Sequence, residues 1–123
     1  MSSHYFAFVL DEKSRSEILA RVGRSFEKTI AHHVTIEFNP TDGVADKFPQ
    51  DSDVRVIGYA RGENIECVAV SVNGKTERAD GSFYHVTVSL RPPAKPVDSN
   101  KLKNKVVQVD DFKTFGKFEM VKK

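Results

Sequence analysis

The chain alternates between short apolar runs and polar breaks, and the period of the apolar positions changes once. Residues 5–10 (Tyr-Phe-Ala-Phe-Val-Leu) are aromatic and aliphatic without interruption, the composition of a buried strand. Ile18, Leu19, Val22 and Phe26 then recur at helical spacing. Ser14 and Glu17 stand three apart just ahead of that stripe, as in a capping box, and Gly23 is placed to stop the helix. The opening unit is therefore a strand followed by a helix.

Beyond it the period is two. Strands are expected over 30–38, 54–60, 65–72 and 83–90, with short final strands over 106–109 and 115–121. Loops are expected over 39–43 and 49–53, where Pro, Gly, Asn and Asp cluster. Asn73-Gly74 is the strongest short hairpin signal, and Arg61 to Asn64 marks another turn. Pro92, Pro93 and Pro96 enforce an irregular segment, with one helical turn expected within 98–105. One helix followed by many strands predicts an α+β fold with a mostly antiparallel sheet.

Composition narrows the class. A length of 123 residues suits a single domain of ordinary size, here expected over 1–123. The 39% hydrophobic and 29% charged residues belong to a globular chain and not to a disordered one. One Cys excludes an internal disulfide and a multi-Cys zinc site, and a reduced, cytoplasmic setting is expected. No apolar run reaches the roughly 18 residues of a membrane span, and Met-Ser-Ser-His-Tyr has no signal-peptide character. The net charge of +2 argues against coating long duplex nucleic acid. It is unevenly placed: residues 1–90 carry 10 Lys/Arg and 13 Asp/Glu, and residues 91–123 carry 9 and 4. The basic end is either a solubilising feature or an attraction for a phosphate-bearing ligand.

Two segments share a pattern: His33-Val34-Thr35-Ile36-Glu37-Phe38 and His85-Val86-Thr87-Val88-Ser89-Leu90, 52 residues apart. In a strand, His33, Thr35 and Glu37 take one face and Val34, Ile36 and Phe38 the other; the second copy divides alike. The apolar faces are expected to pack on the core and the His/Thr faces to line a cleft or meet water. A given His is followed by apolar-Thr-apolar by chance in roughly 0.7% of cases on ordinary composition, so a paired occurrence carries weight. A histidine titrates near pH 6.5, which lets one imidazole take a proton while another gives one. Applied to a phosphodiester, one His draws the proton of the nucleophile and the other protonates the leaving oxygen, without a metal. Each Thr hydroxyl, on its His's face, is placed to donate to a non-bridging phosphate oxygen.

This pair of His-x-Thr-aliphatic motifs after an opening strand and helix resembles the 2H phosphoesterase superfamily over roughly residues 5–90. The superfamily includes RNA 2′,3′-cyclic phosphodiesterases and phage enzymes that destroy cyclic oligonucleotide signals of the CBASS defence. The resemblance implies a bilobal antiparallel α+β fold and cofactor-free, metal-independent phosphodiester cleavage in a cleft between lobes. It assigns His33 and His85 as the catalytic pair and Thr35 and Thr87 as phosphate-binding hydroxyls. The short motif spacing is closest to small phage-type or RNA-repair-like members. The substrate expected is a small nucleotide or oligonucleotide, either a cyclic oligonucleotide or a 2′,3′-cyclic phosphate. The alternatives are RNA-end repair and a non-catalytic module that sequesters a cyclic nucleotide. Which His is acid and which base stays open.

Secondary candidates are Tyr5, Phe83 and Tyr84 for stacking on a base, and Lys75 and Arg91 for phosphate contact. The 96–100 segment is either a polar loop over the cleft or a connector. Alternation places His32 on the face opposite His33, outside the chemistry. His4 reads as a surface residue ahead of the first strand, and Cys67 as a small buried hydrophobe.

Overall fold

The computed structural model describes residues 4–38, 40, 43–78 and 81–122. The fold is α+β with antiparallel strands in two sheets. The elements are β1 (His4–Leu10), α1 (Glu12–Val22), β2 (Lys28–Thr29), β3 (His33–Phe38), β4 (Val54–Arg61), β5 (Ile65–Val72), β6 (His85–Leu90), β7 (Val107–Thr114) and β8 (Gly116–Lys122). A 3-10 segment spans Pro96–Lys105, and a shorter one Val44–Lys47. One sheet has the order β3-β1-β8 and the other β2-β6-β5-β4-β7.

The helix cap lies three residues before the expected one. Asp11 is the N-cap, accepting from the Ser14 N–H at 2.8 Å. Ser14 instead accepts from the Phe115 N–H at 2.7 Å, tying the helix to the β7–β8 connection. Gly23 ends the helix as expected, with φ +74°. Phe26 therefore lies beyond the helix, although it is buried.

The strand expected over 30–38 is two strands in two sheets. β2 pairs with β6, and the Ile30 and Ala31 N–H groups continue that ladder to the Val88 and Thr87 carbonyls, each at 2.8 Å. Ala31 then takes φ +42°, a left-handed conformation that holds a non-glycine residue at an expense of about 1 kcal/mol or more. The turn carries the chain into the other sheet, where His33 pairs with Val9 of β1. This crossing lets β3, from one sheet, pack beside β6 of the other.

The inner faces of both sheets share one core. Phe6 and Phe8 of β1, Val34 and Ile36 of β3, Val56 of β4, Val68 and Val70 of β5, and Val86 and Val88 of β6 meet Ile18 and Phe118 there. β5 is buried on both faces: Cys67 and Ala69 join Phe83, Leu90 and Leu102 in a second cluster that the 3-10 segment covers. Leu90 thus leaves the company of Val86 and Val88 that alternation gives it.

The Asn73-Gly74 turn forms as expected. Asn73 (φ +51°) and Gly74 (φ +84°) give the double left-handed turn of a tight hairpin, closed by paired bonds between Val72 and Lys75. β7 is longer than expected, covering eight residues, while β8 has the expected seven, displaced by one. His4 begins β1 instead of preceding it. The loop expected over 39–43 lies partly outside the described residues. Among the described residues no helix is long and apolar enough to cross a membrane.

Candidate active site

β3 and β6 present their His-x-Thr faces to a single cleft of about 320 Å³. His33 and Thr35 line it from the three-stranded sheet, and His85 and Thr87 from the five-stranded sheet. Tyr5 and Phe38 add aromatic walls, Arg78 and Lys95 two cations, and Pro96, Val97 and Asn100 a rim from the 3-10 segment. Two motifs 52 residues apart converge because the Ala31 crossing sets their strands side by side.

His85 is 9% exposed, and its ring lies 4.7 Å from that of Phe83. Its Nδ1 is 2.9 Å from the Phe83 carbonyl oxygen. A carbonyl only accepts, so Nδ1 carries the hydrogen and the neutral ring keeps its lone pair on Nε2. Burial pushes the His85 pKa down to about 4; the Phe83 bond opposes this and the Arg78 charge adds to it.

His33 is half-buried, with its ring 5.2 Å from the Tyr5 ring. Its pKa is also pushed down to about 4, first by burial and then by the charges of His32 and His85. The two catalytic candidates therefore lie close enough for protonation of one to oppose protonation of the other. His32 is not apart from the site: its Nδ1 lies 3.0 Å from the Nδ1 of His33.

The two threonines differ. Thr35 lines the half-open side of the cleft. Thr87 is buried, with its hydroxyl 2.8 Å from the Ser99 Oγ and donating to the Pro96 carbonyl at 3.3 Å. That second bond is long for a hydroxyl donor, so turning the proton toward a bound oxygen gives up little. The 96–100 segment, expected as a polar loop over the cleft or a connector, is the start of the 3-10 segment and lines the cleft through Pro96, Val97 and Asn100.

Of the secondary candidates, Tyr5 alone reaches the cleft, and burial raises its phenol pKa. Tyr84 is 5% exposed and belongs to the shared core, so it is not placed to stack on a base. Phe83 is likewise buried and acts by holding His85. Lys75 sits exposed in the tight turn and Arg91 lies 5.6 Å above the Phe26 ring; neither lines the cleft. Cys67 is buried, and burial pushes its thiol up to about 12, the state of an inert hydrophobe.

The sequence reading missed Arg78. It is 6% exposed, donates to the Ser82 Oγ at 2.5 Å and the Asn100 Oδ1 at 3.1 Å, and lies 5.4 Å from the Phe38 ring centre. A sequence signal existed: Asp80-Gly81 is a hairpin dipeptide just ahead of the second motif. The Arg78 N–H donates to the Ser82 carbonyl, and Glu77 bridges Phe83.

No family model, curated protein or solved structure matches this chain.

Proposed function

We propose that the protein is a metal-independent phosphodiesterase acting on a small nucleotide or oligonucleotide by two-histidine acid–base catalysis. The observation that carries this reading is the convergence of His33, Thr35, His85 and Thr87, from two sheets, on one cleft. The two-sheet arrangement supports the bilobal plan of the 2H phosphoesterases, with one His-x-Thr strand from each lobe.

The acid and base roles follow from the local geometry. His85 has Nδ1 committed to a carbonyl and stands near the Arg78 cation, which disfavours its charged form. It is the general base, receiving the proton of the attacking water or ribose hydroxyl on Nε2. His33 protonates the leaving oxygen. Thr35 and Thr87 donate to the non-bridging phosphate oxygens, and Arg78 and Lys95 attract the anion. Tyr5 and Phe38 give a base an apolar surface. The substrates are a cyclic oligonucleotide, as a phage anti-defence enzyme would take, or a 2′,3′-cyclic phosphate, as in RNA-end repair.

The internal bonding of Thr87 favours one rival: a module that binds a cyclic nucleotide and does not cleave it. Incubation with cyclic di- and trinucleotides and 2′,3′-cyclic mononucleotides, with and without EDTA, separates the two. Linear products that persist in EDTA and disappear in His33→Ala and His85→Ala are expected. Retention of substrate without any product establishes the binding module, and full activity in both single variants ends the two-histidine mechanism.

A further inference from the structure

Alternation along a strand puts neighbouring residues on opposite faces, yet the Nδ1 atoms of His32 and His33 are 3.0 Å apart. The strand geometry starts only at His33, and Ala31 at φ +42° turns the chain just before it. The rings meet edge to face, 5.2 Å between centres. Two imidazole nitrogens at this separation share one hydrogen: one donates and the other accepts. His32 is exposed, while His33 is half-buried on the cleft.

The acid–base reading contains a difficulty that this contact resolves. A general acid must hold a proton on the nitrogen that faces the leaving oxygen. His33 stands beside the Tyr5 ring and shares its cleft with His85, Arg78 and Lys95, and burial together with the charges of His32 and His85 disfavours its charged form. An isolated His33 at neutral pH is uncharged, and nothing fixes its single hydrogen on Nε2.

We infer that His32 is a positioning and proton-supplying residue for His33: its exposed ring carries the positive charge, and its Nδ1–H donates to Nδ1 of His33, which fixes the His33 hydrogen on Nε2. The inference rests on the two-histidine reading above. Charge is held where water solvates it, and the buried ring stays neutral.

The step balances. The bond from phosphorus to the leaving oxygen breaks, and its electron pair stays on that oxygen. The oxygen takes the Nε2 hydrogen of His33, leaving a lone pair on Nε2. The Nδ1 hydrogen of His32 crosses to Nδ1 of His33. The dyad passes from one positive charge to none, while His85 passes from none to one on taking the nucleophile's proton. His32 regains its proton from solvent and His85 returns its own.

The test compares pH–rate profiles of the full chain, His32→Ala and His32→Asn on two phosphodiesters. One is a 2′,3′-cyclic mononucleotide, whose ribose oxygen needs protonation. The other is bis(4-nitrophenyl) phosphate, whose leaving group does not. For His32→Ala on the cyclic nucleotide, the alkaline limb is expected to move to lower pH, with a loss of roughly 10- to 100-fold near pH 7. On the activated ester the change is expected to stay within about 3-fold. His32→Asn restores a hydrogen bond to His33 without a titrating group, so it keeps the displaced limb. Long-range ¹⁵N–¹H spectra are expected to show the His33 hydrogen on Nε2 in the wild type and redistributed in His32→Ala. Unchanged profiles and spectra, or equal losses on both esters, overturn the inference while leaving the two-histidine reading intact. An inactive wild type, or an active His33→Ala, overturns both.

Discussion

Ser89, two residues beyond Thr87 on β6, donates its hydroxyl hydrogen to the carboxylate of Glu66 on β5. Glu66 is fully buried and also accepts from the Ser25 N–H at 2.6 Å, the Ser25 hydroxyl at 3.0 Å and the Tyr59 hydroxyl at 2.5 Å. The Ser89 oxygen in turn accepts from the Phe26 N–H at 3.1 Å. One carboxylate thus fastens the segment after α1 to the strand that carries the second motif. Burial alone would raise its pKa, but the donors, Ser89 foremost, hold it below the ordinary carboxylate value.

Glu66→Gln is expected to destabilise the fold by about 3 kcal/mol, because an amide cannot accept from all four donors. Urea unfolding measures it. The folded pKa is lowered, so the wild-type contribution is complete above the unfolded value near 4.3 and is lost as pH falls through the folded one. Glu66→Gln is expected to lack that acid-side slope.

His85 gives a second, separate pH window. Its folded pKa of about 4 lies below the ordinary 6.5, so the unfolded chain binds the proton more readily. Stability is expected to decline as pH drops from 6.5 towards 4, by on the order of 3 kcal/mol, and to level off below. His85→Asn is expected to reduce the slope of that part of a plot of urea midpoint against pH, leaving the share of His33, whose pKa is also lowered to about 4; an unchanged slope contradicts the assignment.

Single replacement of His33 or His85 by Ala is expected to reduce turnover of the responsive nucleotide by about 10²- to 10⁴-fold. The double variant is expected to lose much less than the product of the two, since the residues act on one transition state. Steady-state kinetics with melting curves distinguishes this from unfolding.

Arg78→Met is expected to raise the His85 pKa, because the Arg78 charge lowers it, and to weaken nucleotide binding by about 1–3 kcal/mol. NMR titration of the His85 ring and calorimetry with a non-hydrolysable dinucleotide read the two effects. A His85 titration unmoved by the substitution separates the cation from the site.

Gly116 permits the close approach of β8 to β1. A Cβ there would stand 2.0 Å from the Val9 oxygen and 2.8 Å from its carbonyl carbon, both backbone atoms. Gly116→Ala is therefore expected to destabilise by roughly 3 kcal/mol or more, read as a lowered denaturant midpoint. A neutral result would mean that the two strands separate freely.

The local readings of the sequence survive where local forces decide them. Asn73-Gly74 turns the chain because few other residues adopt two successive left-handed conformations. Gly23 stops α1 because its φ of +74° suits glycine and few other residues. Val34, Ile36, Val86 and Val88 enter the core because alternation fixes which face of a strand is apolar. The two His-x-Thr faces were legible on that ground alone.

Alternation records the two faces of a strand, but it cannot say what covers either one. Tyr84 and Tyr5 look alike in sequence, yet one is closed in the core between the sheets and the other opens on the cleft. His32 escapes the rule because the strand ends at Ala31, where pairing with a distant partner changes sheets. Arg78 enters the site because its segment folds back on itself and finds Asn100 of the 3-10 segment. The sequence by itself determined most of the strands, the tight turn and the chemistry offered by the two motifs, since these depend on backbone sterics and side-chain period. Only the tertiary structure decided that the motifs share one cleft, and which cation and which third histidine stand beside them. Those neighbours come from sheet pairing across long stretches of chain, and no local pattern encodes it.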